Sequence, residues 1–282
     1  MLYPQLGFSG SQLQQSGISK GSVQPFPYHM VSPSPWPILI SFSLLFLTIG
    51  TVSWMQGYDS TTMRLGFTLT LWTMLQWFLD VENEGNLEGN HTKKVGNGIF
   101  TGFCLFVISE VFFFLAFFWA FFHLSLVPSI EIGGVWPPQG IIPLNALAIP
   151  LLNTVLLLSS GVSVTEFHHA LINGDKLKGM YSLSATVLLA SVFTALQYLE
   201  YVQSGFTIAD SVYGSTFYST TGLHGLHVLV GTIFLFFCLL KLVNYRLTLN
   251  RHIGVECGIL YWHFVDIVWL LLFISIYYWG GM

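Results

Sequence analysis

Apolar residues run along this chain in seven blocks bounded by charge, proline or glycine: Ile38–Met55, Met63–Val81, Gly98–Val127, Leu147–Ile172, Gly179–Gln203, Ser215–Tyr245 and Val255–Trp279. A hydrocarbon core of about 30 Å takes roughly 20 helical residues, so the blocks predict helices that cross a bilayer. The third and sixth blocks are longer than that and predict helices that tilt or protrude. No internal repeat appears at a fixed period, and an inverted-repeat transporter is therefore not suggested. The fold class expected from the pattern is all-α integral membrane, with seven transmembrane helices.

Composition sharpens this reading. Hydrophobic residues make up 53% of the 282 and charged ones only 8%, where a soluble domain carries about 25% charged residues. A soluble globule is excluded. The net charge of -4 supplies no basic footprint, so no nucleic acid is expected as a partner. Cys104, Cys238 and Cys257 are an odd number scattered through apolar blocks and form no disulfide framework. The stretch Met1–Pro35 is polar, rich in Gly, Ser and Gln, and lacks the pattern of a cleaved signal peptide, so the chain is expected to begin near Met1.

The longest acidic interruption, Asp80 to Gly98, holds Asp80, Glu82, Glu84 and Glu88 with Lys93 and Lys94. It marks the best boundary between two helical bundles. The expected organisation is a polar N-terminal tract (1–36), a two-helix bundle with the acidic loop (37–90) and a five-helix bundle (91–282). Seven spans put Lys20, Lys93, Lys94, Lys176, Lys178, Lys241, Arg246 and Arg251 on the N-terminal side and Arg64 alone on the other. Basic residues stay on the side from which a chain inserts, so the N-terminus is expected there. The triplet Asn90-His91-Thr92 falls on that same side and is discounted as a glycosylation site.

Residues able to carry chemistry are few. Glu110 interrupts the third block in Val107-Ile-Ser-Glu-Val-Phe-Phe-Phe114, and a carboxylate there costs about 2.5–3.5 kcal/mol on insertion scales. Either it is protonated or it meets a polar partner on another helix; a proton-linked role and a packing role are both open. Phe112–Phe114, Phe117, Phe118, Phe121 and Phe122 around it read as lipid-facing or packing surface. The fourth block carries Ser159, Ser163 and Glu166 at helical spacing, followed by His168 and His169; the fifth ends with Gln197 and Glu200; the seventh sets His263 and Asp266 three apart. Within lipid such groups bond to one another across helices, and His224 and His227 join that set of interhelical polar residues. Gly98 with Gly102, and Gly254 with Gly258, are spaced for close helix approach.

Cofactor motifs are wanting. The nine histidines show no pair spaced so that two helices clamp a haem. His224 and His227 could share a metal, but no Cys or carboxylate with zinc spacing lies beside them, so no metal is expected. Phosphate-cradling glycine loops, a Schiff-base lysine in the last block and Gly-x-Ser-x-Gly nucleophiles are missing as well.

Several long strings, taken in order, resemble one family: Tyr28-His-Met-Val-Ser-Pro-Ser-Pro-Trp-Pro37, Phe106-Val-Ile-Ser-Glu-Val-Phe-Phe-Phe114, Phe118-Trp-Ala-Phe-Phe-His123, Gly133-Gly-Val-Trp-Pro-Pro138, Val212-Tyr-Gly-Ser-Thr-Phe217, Gly222-Leu-His-Gly-Leu-His227 and Tyr261-Trp-His-Phe-Val-Asp-Ile-Val-Trp269. From Tyr28 to Gly281 the chain resembles subunit 3 of the haem-copper oxidases, in the mitochondrial form of cytochrome c oxidase. The resemblance implies seven helices in two bundles, the first two and the last five, separated by a V-shaped cleft filled with phospholipid. It implies a redox-silent core subunit of the terminal oxidase of the respiratory chain, with haem and copper held in partner subunits and structural phospholipids bound. The family contacts subunit 1, stabilises it, and supports proton uptake and oxygen access. By position, Glu110 matches the intramembrane carboxyl at the subunit 1 contact, and Glu84 and His91 match residues at a phospholipid headgroup. The family's neighbouring tryptophan and arginine stand here as Phe78 and Leu79. Lys241 and Arg246 fall where basic groups meet acidic lipid. Further implied are a respiratory supercomplex with the cytochrome bc1 complex and a place in the mitochondrial inner membrane, N-terminus in the matrix and C-terminus in the intermembrane space. The alternative from a different class is a stand-alone seven-span transporter or receptor, with Glu110 and the polar stripe of the fourth block lining a substrate path.

Overall fold

The computed structural model describes residues 26–86, 88–247 and 252–281. The expectations that rest on residues 1–25, on Arg251 and on Met282 lie outside them. Among the described residues there are seven long helices and no strand: α1 (Trp36–Met55), α2 (Thr61–Asn86), α3 (Lys93–Leu126), α4 (Ile149–Ile172), α5 (Lys176–Gln203), α6 (Ser211–Val243) and α7 (Ile253–Leu272). The last continues as a π-helical stretch, Phe273–Trp279, closed by a bond from Gly280 N to Ser275 O of 2.9 Å. Each apolar block is thus one helix, and the ends follow local chemistry. Pro37 sits in the first turn of α1, and Pro150 in that of α4, where a missing N–H costs nothing. Asp175 caps α5 by accepting from Lys178 N at 3.0 Å, while Gly174, at φ +74°, turns the chain out of α4.

Six of the seven helices are long and apolar enough to cross a membrane. The exception is α2, because Thr61, Thr62, Arg64, Thr68, Thr70, Thr73, Gln76, Asp80, Glu82 and Glu84 lower its hydropathy. Part of that polarity is neutralised locally. Thr68 and Thr70 donate to the carbonyls of Arg64 and Gly66 at 2.9 and 2.8 Å, which hides both hydroxyls from a surrounding without water.

The chain divides into two compact units, Met1–Ile99 and Phe100–Met282, with the division inside α3. In the first, α1 and α2 form an antiparallel hairpin whose backbones nearly touch. A Cβ on Gly50 would lie 2.3 Å from Met63 N, and one on Gly66 would lie 2.3 Å from Leu47 N. Trp36 Nε1 donates to the Asp80 carboxylate at the open end of the hairpin. Gly50 and Gly66 are what allow the two backbones this approach. Of the pairs singled out by spacing, Gly98, Gly102 and Gly254 face open space, and Gly258 meets only side chains at 3.7 Å. The reason is rotational: spacing puts two glycines on one face, but only packing decides whether a neighbour lies there.

In the second unit, α4 and α5 form a hairpin against α6 and α7, and the α7 face made by Trp262, Val265, Trp269 and Leu272 is fully enclosed. The phenylalanine run of α3 is divided by its helical period. Phe114 and Phe121 are buried, while Phe112 and Phe113 point outward. The α3 backbone stands off from its neighbours, and rings fill the gap. Phe103 and Phe106 meet Tyr261 with centroids 6.4 and 6.5 Å apart, and Phe121 meets Trp136 at 5.6 Å. Lys176, at the start of α5, donates to the Val243 carbonyl at 2.9 Å and so satisfies an acceptor left over at the end of α6.

Substituting Gly66 by valine should force α1 and α2 apart, since backbone atoms cannot yield as a flexible side chain can. The cost is about 3 kcal/mol or more, against almost none for Gly102→Ala, whose Cβ meets nothing. Thermal unfolding and protease resistance of the two variants in detergent check this, and equal behaviour would contradict the close packing.

Candidate functional site

Glu110 projects from the middle of α3 toward α6. Its Oε2 lies 2.9 Å from His227 Nε2, and both side chains are largely buried. The ring's other nitrogen, Nδ1, lies 2.8 Å from the Leu223 carbonyl. A carbonyl only accepts, so Nδ1 carries a hydrogen. Two arrangements remain: a protonated carboxyl donating to a neutral imidazole, or an imidazolium donating to a carboxylate. In either, one proton sits between Oε2 and Nε2, and the pair as a whole is neutral. That is how an expensive residue is accommodated in mid-span.

Rings enclose the pair. Tyr261 lies nearly parallel to the His227 ring at 6.1 Å and 19°, Phe114 meets its edge at 5.0 Å, and Phe264 closes from 6.2 Å. His224, one turn earlier on α6, is fully buried. Its Nε2 faces the Val265 carbonyl at 3.2 Å, and its ring packs between Phe193 and Trp269. Neither histidine shares a ligand position with the other, and the two point to different neighbours.

The remaining polar residues distribute among helix pairs. The stripe on α4 is not one unit. Ser163 bonds Thr186 of α5 at 2.8 Å, Glu166 pairs with Lys178 of α5, and the outward Ser159 donates back to Val155 O. On α7, His263 Nδ1 stands 3.7 Å from Asp266 Oδ2, and its Nε2 faces Thr165 Oγ1 at 3.4 Å. Asp266 Oδ2 occupies the space beside Gly161, where a Cβ would come within 2.5 Å of it. Glu200 is buried beside the Tyr277 hydroxyl, and neither of its carboxyl oxygens has a hydrogen bond of good geometry among the described residues. His168 and His169 stack loosely at 6.5 Å. His169 is exposed, whereas His168 turns toward His252 and Glu256.

Near the acidic loop, Glu84 Oε2 lies 3.8 Å from His29 Nδ1, and His91 meets the His29 ring edge-on at 5.9 Å. Gly85 leaves room for His91, whose Nδ1 would lie 2.6 Å from a Cβ there. Lys94 Nζ stands 5.2 Å from the ring centre of Tyr28, the residue before His29. At the end of α6, Lys241 is partly buried and Arg246 exposed.

Gln197 was expected to bond across helices and does, but sequence reasoning missed its partners and the tryptophan links. Trp262 Nε1 donates to Ser160 Oγ at 2.9 Å and Trp269 Nε1 to Thr154 Oγ1 at 3.0 Å, both from α7 to α4. Gln197 joins Asn153 at 3.3 Å to the Tyr277 hydroxyl at 3.1 Å. The available signal was that tryptophan, glutamine and asparagine inside spans need partners, as the carboxylates do.

The profile of the family described as Cytochrome c oxidase subunit III matches residues 26–281. A cytochrome c oxidase subunit 3 from Schizophyllum commune is 52% identical over 260 residues, covering 92% of this chain and 97% of its own. Proteins of the same name from Rhizopus stolonifer and Triticum aestivum are 54% and 53% identical, over 94% and 92% of this chain and 94% and 98% of theirs.

Replacing Glu110 by glutamine keeps a donor toward His227 Nε2 in its neutral form, and stability should fall by no more than about 1 kcal/mol. Glu110→Ala leaves that nitrogen buried with nothing to bond, at a cost of about 1–3 kcal/mol. Unfolding of the purified assembly measures both. Equal damage in the two would show that the shared proton, and not the hydrogen bond, is what the site requires.

Proposed function

The chain belongs to the cytochrome c oxidase subunit III family, and from that premise we propose that it is the redox-silent core subunit that braces the catalytic subunit 1 along the face carrying Glu110. Being a subunit of cytochrome c oxidase, it works within an enzyme of the respiratory chain that passes electrons from cytochrome c to oxygen and translocates protons. The stand-alone transporter or receptor finds no support, because the similarity extends over nearly the whole chain at about half identity.

The observation that carries the bracing role is the Glu110–His227 pair. It is neutral overall, held from both sides within the chain, and incompletely covered, with side-chain exposures of 20% and 10%. A neutral pair at the flank of a membrane subunit costs little to bury against a neighbour and locks the rotation of α3 relative to α6. That rigidity is what a brace supplies. Proton uptake and oxygen access through subunit 1 are then supported by holding its outer helices in place, with haem and copper residing in the partner subunits.

Glu84, His91, Lys241 and Arg246 are assigned to phospholipid headgroups. The two imidazoles near Glu84, with Lys94 close by in sequence, offer donors to a phosphate, and Lys241 and Arg246 provide positive charge at the end of α6. The chain resides in the mitochondrial inner membrane, with the lysine-rich side toward the matrix and the C-terminus toward the intermembrane space. Association with the cytochrome bc1 complex in a supercomplex belongs to the same reading.

Extraction in mild detergent should recover this chain with haem-bearing partners, and Glu110→Ala should shorten the active lifetime of the assembly under turnover while leaving its haem spectrum unchanged. Recovery of the chain alone from intact membranes would refute the reading. Retained phospholipid, counted by native mass spectrometry, should drop after His91→Ala combined with Lys241→Ala; undiminished lipid would remove those residues from the headgroup sites.

A further inference from the structure

Three residues outside the Glu110 site bring together the donor types that divalent transition metals prefer. His168 comes from the last turns of α4, His252 occupies the N-cap of α7, and Glu256 lies one turn later on α7. One ligand atom from each is within 4.8 Å of the other two. We propose that His168, His252 and Glu256 form a binding site for a divalent transition-metal ion of the zinc class, clamping the end of α4 to the start of α7.

The geometry supports a built site. His252 holds the N-cap without using its side chain to cap the helix, and its Nε2 turns instead to Glu256 Oε1 at 3.2 Å. The two are four residues apart, hence stacked on one helix face, which is how a helix presents a pair of ligands to one ion. The third ligand arrives from a different helix, so the ion would close a loop of more than eighty residues. Imidazole and carboxylate bind zinc at about 2.0–2.2 Å, which places ligand atoms about 3.4 Å apart in a tetrahedron. All three residues are half-buried, which leaves an entry path and a fourth position for water. The positive end of α7 opposes a cation, and the Glu256 carboxylate in its first turn offsets that.

Metal ligation uses the deprotonated ring nitrogens and the carboxylate, so the site is occupied by the metal in place of protons. The test is equilibrium dialysis of the purified oxidase assembly against Zn2+, with metal counted by elemental mass spectrometry. At about pH 7.5 the native assembly should hold one more Zn2+ than an assembly with His168→Ala and Glu256→Gln. Identical stoichiometry and affinity in the two would overturn the proposal. Should the substituted chain fail to assemble, the native assembly decides: Zn2+ should protect His168 and His252 from diethyl pyrocarbonate at least tenfold while the exposed His169 stays reactive. Equal labelling of all three with and without Zn2+ would overturn it equally.

Discussion

A polar group within a bilayer has no water to bond, and each one must therefore find its partner inside the protein. A network of tertiary links in the second unit of this chain answers that demand. Trp262 and Trp269 reach serine and threonine on α4, Gln197 connects Asn153 to Tyr277, and Glu110 reaches His227. Apolar contact alone would drive such helices together weakly, since lipid tails are as apolar as leucine. The hydrogen bonds set which helix lies beside which, and in what rotation.

The same demand explains why helices were legible in the sequence and partners were not. A span announces itself through length and hydropathy, properties of a contiguous stretch, and each of the seven blocks became one helix. A partner is a property of two stretches and of how each is rotated. Glu110 could be recognised as costly from its own neighbours, but His227 lies 117 residues away, and nothing local distinguishes it from His224, which points elsewhere. Gly98 and Gly102 had the right spacing and an open face, whereas Gly50 and Gly66 lie on different helices, and each meets the partner helix, at Met63 and at Leu47, only because a tight turn folds α2 back on α1. The α4 stripe divided for a related reason: Ser163 and Glu166 both face α5, but near different turns of it.

Within the second unit, α3 is attached differently from the rest. Where α4 and α5 pack closely, α3 is held away by phenylalanine rings and joined to α6 by the Glu110–His227 contact. Dispersion across rings is large in sum but tolerant of sliding, whereas the Glu110 hydrogen bond is directional and resists rotation of α3. If, as proposed, the catalytic subunit rests against this face, such a joint would let a subunit without a redox centre bear on a redox enzyme through its stiffness alone.

The π-helical end of α7 has an implication for which sequence changes the chain can absorb. Within this stretch Ser275, Ile276 and Tyr277, three residues in a row, are all buried, and the wider winding sets the direction in which each of them points. Removing one residue from Phe273–Trp279 would let the helix relax to the tighter form, and every side chain beyond the gap would advance by one place. Tyr277 would then leave Trp269, whose ring it meets at 5.7 Å, and Gly280 would no longer offer Phe121 the space that a missing Cβ provides. Substitutions in this segment change a contact, but a deletion changes the reading frame of the packing itself, so its length is under tighter constraint than any single residue within it.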